Sequence, residues 1–286
     1  MRLATRASPL ALAQARQVAE ALGGAELVPL TTAGDRDRTA PDKRRWVSEL
    51  ERALLEDEAD VAVHSAKDVP SQLADGLVLA GSPARADPRD ALCGAGALDE
   101  LPAGARVGTS SLRRTAQLHA VREDIEVVEL HGNVDTRLRK LAEGDCLAIV
   151  VALAGLQRLG RAGQAGALLD PDRFVPAPGQ GTLALETRTG DNPMIARVRA
   201  ISDPGSEACL AAERASVRVL EADCHTPVGA YATRRRDGRL RLTVFVGRED
   251  GSAWVRDRLE GDDPEALGEA VAQRVLLAGA AELLGR

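Results

Sequence analysis

The run Ala148-Ile149-Val150-Val151-Ala152 is apolar on both faces of an extended chain. A strand of that kind needs cover on both sides, which predicts a central parallel strand with helices above and below it. The rest of the chain supports that reading. Leu3-Ala4-Thr5 predicts a short strand, and Ser8 followed by Pro9 supplies an N-cap and a first-turn proline. Leu10, Ala11, Ala15, Val18 and Leu22 then recur at helical spacing as far as Gly23-Gly24. Glu26 to Thr31 reads as a strand, Val47, Leu50 and Leu54 mark a helix, and Asp60 to His64 is a further strand, giving βαβαβ. A looser stretch with Gly81, Pro83, Asp87 and Pro88 is a hinge by composition.

The pattern then restarts. Arg106 to Thr109 is a strand, Ser110 and Ser111 cap a helix through Leu118, Ile125 to Leu130 is a strand, and a helix from Val134 to Leu141 leads into the apolar run. Beyond Pro176, Pro178, Gly179 and Gly181, Thr182 to Glu186 offers one strand that returns to the first unit. The character changes after Asp203-Pro204-Gly205. A helix holding Leu210, Val217 and Leu220 precedes strands Val228 to Thr233 and Leu240 to Val246, with Asp237-Gly238 as the hairpin signal between them. A final helix is expected from Pro264 to Leu284. The expected fold class is α/β: two α/β domains, residues 1–85 with 182–200 and residues 86–181, and a smaller α+β domain, 201–286.

Composition excludes several partners. Thirty-seven basic against 43 acidic residues leave a net charge of −6, which disfavours nucleic acid and anionic membrane. Two Trp, two Phe and one Tyr are too few for a row of base-stacking platforms. No apolar run reaches the ~18–20 residues of a membrane span, and the N-terminus lacks a signal-peptide core, so a cytoplasmic location is expected. Cys93, Cys146, Cys209 and Cys224 show no C-x-x-C spacing, which indicates neither a zinc site nor a disulfide framework. The first three read as small buried apolar residues. Cys224 sits in a polar loop, Ala222-Asp223-Cys224-His225-Thr226-Pro227, where a thiol can be exposed and reactive.

Two constellations carry chemistry. His64-Ser65-Ala66-Lys67-Asp68 places polar groups where a strand of an open sheet ends, the edge at which such sheets bind ligands. Asp68 is the candidate acid or base there, and a surface pair with Lys67 is the plainer alternative. Thr109-Ser110-Ser111-Leu112-Arg113-Arg114 is a hydroxyl-rich turn into a helix with two arginines, the makings of an anion site. Arg6 and Ser8 stand at the equivalent place before the first helix, and Arg137 and Arg158 near further helix ends. For any one arginine a solvated face is the favoured reading, whereas several at strand-to-helix turns together point to a small polyanionic ligand.

These motifs resemble the hydroxymethylbilane synthase, or porphobilinogen deaminase, family, and the likeness runs through nearly the whole chain. Its blocks stand in order: Arg2 to Leu12, Ala62 to Pro70, Asp87 to Ala91, Gly108 to Arg114, Gly132-Asn133-Val134, Pro176 to Gly181, Ala212 to Ala215 and Cys224 to Gly229. The resemblance implies two lobes like those of periplasmic binding proteins with the active cleft between them, and a third domain bearing the cofactor. It implies a monomer that condenses four porphobilinogen molecules head to tail, releases ammonia and hydrolyses the chain to hydroxymethylbilane. By position it makes Cys224 the thioether anchor of a dipyrromethane primer, implies no metal, and makes Asp68 the catalytic carboxylate beside an azafulvenium cation. The acetate and propionate arms would meet Lys67, Thr109, Ser110, Ser111, Arg113, Arg114, Arg137 and Arg158 on the cofactor. On the substrate they would meet Arg6, Ser8, Gln14, His131, Arg137, Arg158 and Gln180.

Departures from the pattern are concentrated in a few places. The glycine-rich lid is replaced by Pro41-Asp42-Lys43-Arg44-Arg45-Trp46, in which Lys43 and Trp46 fall on the lid lysine and phenylalanine and Trp46 is expected to stack on a pyrrole. His131 stands in place of an arginine, and Ala222-Asp223 in place of two glycines before the cysteine. The competing class is a non-catalytic two-lobed protein that binds small anions, because that architecture does not fix function.

Overall fold

A computed structural model describes residues 1–36, 43–222 and 226–286. The first lobe is built from β1 (Arg2–Arg6), α1 (Pro9–Ala21), β2 (Glu26–Leu30), the short α2 (Ala33–Arg36), α3 (Ser48–Leu55), β3 (Val61–Ser65) and β4 (Leu77–Gly81). The second holds β5 (Asp90–Cys93), β6 (Arg106–Gly108), α4 (Leu112–Val121), β7 (Glu126–Val128), α5 (Val134–Ala142), β8 (Ala148–Ala152), α6 (Leu153–Arg158) and β9 (Ala167–Leu168). The chain then returns through β10 (Leu183–Arg188) and α7 (Asn192–Ala200). The third lobe is α8 (Pro204–Val219), β11 (Val228–Arg234), β12 (Leu240–Gly247), β13 (Trp254–Gly261), α9 (Pro264–Val275) and the short α10 (Ala281–Leu283).

The first two lobes share one topology. Their five-stranded sheets run β2-β1-β3-β10-β4 and β7-β6-β8-β5-β9. In each, four strands run in one direction, and the fourth position is taken by a strand crossing from the other lobe and running antiparallel to its neighbours, β10 in the first sheet and β5 in the second. The expected return of Thr182 to Glu186 to the first unit is therefore present as β10. The apolar run is central, as its two-sided apolarity demands, but it is not flanked by parallel strands alone. β8 pairs parallel with β6 and antiparallel with β5, because the chain enters this lobe along β5.

Alternate residues of the buried strands feed cores on opposite faces of each sheet. Leu3 packs on one side and Ala4 on the other, and Leu92 and Cys93 do the same in the second lobe. The third lobe lays α8 and α9 on one face of an antiparallel β11-β12-β13 sheet around Ala212, Leu242 and Val271. Three features differ from the sequence reading. Strand β13 went unassigned because its Arg256, Asp257 and Arg258 obscure the alternation of Val255 and Leu259. Strands β4 and β5, which the sequence reading did not assign, flank the stretch read as a hinge. The last helix is not continuous: α9 ends at Val275, a π-helical turn spans Leu276–Ala280 with a kink at Gly279, whose φ of 106° is outside the helical range, and α10 follows.

Candidate active site

The C-terminal ends of the parallel strands in both lobes face one cleft of about 720 Å³, a size suited to a small organic ligand. From the first lobe it receives Arg6 and Ser8 at the turn into α1, Gln14 on the inner side of that helix, and Lys67 and Asp68 on the 3-10 turn Ala66–Asp68 that ends β3. From the second it receives Ser110, Ser111, Arg113 and Arg114 where α4 begins, then His131, Arg137 and Arg158. Gln180 enters on the segment leading back to the first lobe. Thr109 is the exception. It is buried, and its hydroxyl accepts the Ser111 N–H at 3.2 Å instead of standing in the wall.

Local chemistry fixes these side chains. The Ser8 hydroxyl accepts the Ala11 N–H, so it serves first as the cap of α1. Gln14 donates to the Ser65 hydroxyl at 2.8 Å and so ties α1 to the strand that carries Lys67 and Asp68. Burial pulls the Lys67 amine down to about 8. Asp68 opposes that shift, while Arg114 and Arg113 across the cleft reinforce it. Arg137 donates to the Gly132 carbonyl and, at 2.9 Å, to the Ser110 hydroxyl. Ser111 occupies the N-cap position of α4 but makes no side-chain cap bond. Arg158 donates to the Gly181 carbonyl at 2.8 Å, and burial lowers its guanidinium to about 10.

Arg113 and Arg114 are nearly sealed from solvent, and both turn onto Asp90 at the start of β5. Arg114 reaches one carboxylate oxygen at 2.7 Å and Arg113 the other at 2.8 Å. The Gln180 amide adds a bond of 2.9 Å to Asp90 and another to the Pro88 carbonyl. Burial by itself would raise the Asp90 carboxyl, but Arg113, Arg114 and Gln180 outweigh it and hold the group at about 2. The two arginines are thus positioned by a resident carboxylate rather than left open.

Two further positions differ from the sequence expectation. Trp46 does line the cleft, but its ring lies against Gly34, where an added Cβ would come within 2.4 Å of it, and the Arg6 guanidinium covers it at 4.1 Å. The face under Arg6 is not open to a pyrrole. His131 is exposed and pairs with Glu129 at 2.7 Å, so a carboxylate of the protein already meets the residue that replaces an arginine. The Lys43 side chain and Cys224 lie outside the described residues.

Comparison with known proteins decides among the possible ligands. The family model described as porphobilinogen deaminase, dipyromethane cofactor binding domain, matches residues 1–196, and the model for the porphobilinogen deaminase C-terminal domain matches residues 207–277. The chain belongs to the porphobilinogen deaminase family. Relatives bearing that name include one from Xanthomonas axonopodis pv. citri, 48% identical over 99% of this chain and 98% of its own. Others are from Rubrobacter xylanophilus, 47% identical over 99% and 96%, and Brevibacillus brevis, 43% identical over 99% and 96%. Among solved structures, the methionine-binding protein MetQ covers 72% of this chain and 91% of its own at 15% identity and a TM-score of 0.45, too loose a likeness to argue from.

The cofactor is the dipyrromethane for which the matching family model is named. The cleft suits such a group. Arg6, Arg137 and Arg158 from the two lobes line it, and guanidinium groups are the natural partners of the cofactor's carboxylate arms. Ala222 and Thr226, on either side of Cys224 in the chain, both line the cleft. The other cysteines are poorly placed. Cys93 and Cys146 belong to the core of the second lobe and Cys209 to that of the third, and burial pushes the thiols of Cys93 and Cys209 up to about 11. Sequence reasoning overlooked Asp90, although it lies inside the Asp87 to Ala91 block, because nothing local says that a carboxylate there faces two distant arginines. It also passed over Ser65 and Arg45.

Proposed function

We propose that this cleft performs the porphobilinogen deaminase reaction with Asp68 at the reacting centre and Cys224 as the anchor of the primer. The enzyme joins porphobilinogen molecules head to tail, releases ammonia and hydrolyses the finished chain to hydroxymethylbilane. When bound, the dipyrromethane supplies the terminal pyrrole carbon to which the first substrate is joined. Loss of ammonia from porphobilinogen leaves an azafulvenium cation, and a carboxylate beside its N–H stabilises that charge. Asp68, on a turn held by β3, supplies this carboxylate and receives the ring proton lost after each coupling. Lys67, Arg6, Arg137 and Arg158 bind the acetate and propionate arms, with Ser8, Gln14, Ser110, Ser111 and Gln180 filling the remaining polar positions. Arg113 and Arg114 contribute from behind, fixed by Asp90.

The observation that carries these roles is the convergence on one cleft of the Asp68 turn, the arginines of both lobes and the two residues flanking Cys224. Residues 1–85 with 182–200, 86–181 and 201–286 are proposed as the folding units. Among the described residues no helix is long and apolar enough to cross a membrane, and a cytoplasmic monomer is the proposed working form. Intact mass tests the anchor. Wild-type protein is expected to exceed its sequence mass by one dipyrromethane, and Cys224→Ala to lose that excess while Cys93→Ala and Cys209→Ala keep it. An unmodified wild type that stays unmodified after incubation with porphobilinogen would overturn the assignment.

A further inference from the structure

Arg45 lies on the 3-10 turn Lys43–Trp46 and lines the cleft together with Arg6 and Trp46. Its Nε and Nη1 atoms are shut off from solvent and have no hydrogen-bond partner among the described residues. A guanidinium in that condition has lost water without gaining an acceptor, an unfavourable state that persists only where something else fills the gap. The Arg45 guanidinium lies 5.0 Å from the centre of the Trp46 ring, the same ring that holds the Arg6 guanidinium at 4.1 Å. One indole therefore serves two cations on the rim of an anion-binding cleft, and for Arg45 the cation–π contact orients the group without supplying a hydrogen-bond acceptor.

We propose that Arg45 is a further substrate-binding residue, whose guanidinium turns out of its sealed position to receive a carboxylate arm of porphobilinogen. The proposal rests on the functional reading above. It also changes the part played by Trp46, which becomes the platform that aims Arg6 and Arg45 rather than a surface for the pyrrole. A carboxylate is the fitting ligand because it accepts charge-assisted hydrogen bonds from a guanidinium.

The test uses the holoenzyme with Trp254→Phe, which leaves Trp46 as the sole tryptophan. Porphobilinogen is the probe, and Trp46 emission reports its binding separately from turnover. Arg45→Gln in that background is expected to raise the half-saturating concentration and KM on the order of 10-fold or more, the effect of losing a charge-assisted hydrogen bond. kcat is expected to stay within about 3-fold, since only uniform binding is removed. Arg45→Lys, which restores the charge but not the fork, should fall between. Half-saturation unchanged in Arg45→Gln, with wild type turning over normally, overturns the Arg45 role alone. No response to porphobilinogen by wild type, in emission or turnover, overturns the proposed function and the Arg45 role with it.

Discussion

Asp90→Asn removes the charge that holds Arg113 and Arg114, and its cost follows from the structure. The side chain is fully buried, so its interactions are not weakened by solvent. Its carboxyl sits at about 2 against an ordinary 3.8, a difference worth about 2–3 kcal/mol of preference for the charged form in the folded protein. Neutralising one partner of a buried ion pair also strands the other charges, and such changes cost about 3–5 kcal/mol. The larger range is expected for Asp90→Asn. Three lobes need not unfold together, so hydrogen exchange at β5, β8 and α4 is a better assay than a single melting curve. The pH dependence has a definite sign. Because the folded carboxyl is depressed, its contribution is complete above the ordinary value of 3.8 and disappears as pH falls towards about 2. The difference between wild type and variant should narrow across that window. A loss below about 1 kcal/mol at neutral pH, or a difference indifferent to acid, would refute the reasoning.

Asp68→Asn is expected to retain the cofactor mass and bind porphobilinogen while single-turnover coupling slows by about 10²- to 10⁴-fold, the usual worth of a positioned acid–base group; a drop of less than about 10-fold would move the chemistry to another residue. The KM for porphobilinogen should climb as pH rises through about 8, where the Lys67 amine loses its charge. Lys67→Gln should show a high KM at neutral pH and no such climb, and an identical profile in both proteins would remove Lys67 from substrate binding.

The parts of this molecule legible in the sequence are those whose signals are local. Ser8 capping α1 before Pro9, the periodicity of that helix, and β8 as a doubly apolar strand are all set by neighbours a few residues apart. Lys67 and Asp68 were found because a strand end is recognisable and ligands collect there. What escaped depends on pairing across the chain. Asp90 acquires meaning only from arginines 23 and 24 positions later, brought round by β6 and α4. Trp46 matched a stacking residue by position, but its environment is set by Gly34 and Arg6, and no spacing rule states that contact. β13 was hidden because Asp257 takes the inward phase between Val255 and Leu259 and Trp254 the outward one, so its apolar residues do not alternate cleanly.

The two chain crossings between the first lobes are stitched to one another at the site itself, since Gln180 on one donates to Pro88 and Asp90 on the other. The articulation of the molecule and the electrostatic clamp of its cleft therefore share atoms. Anyone engineering this enzyme for heat tolerance by stiffening the crossings will also retune its grip on carboxylates, and selection for weaker product retention will loosen the joint. Positions 90 and 180 cannot be optimised for one property in isolation, so libraries should vary them together and be screened for both.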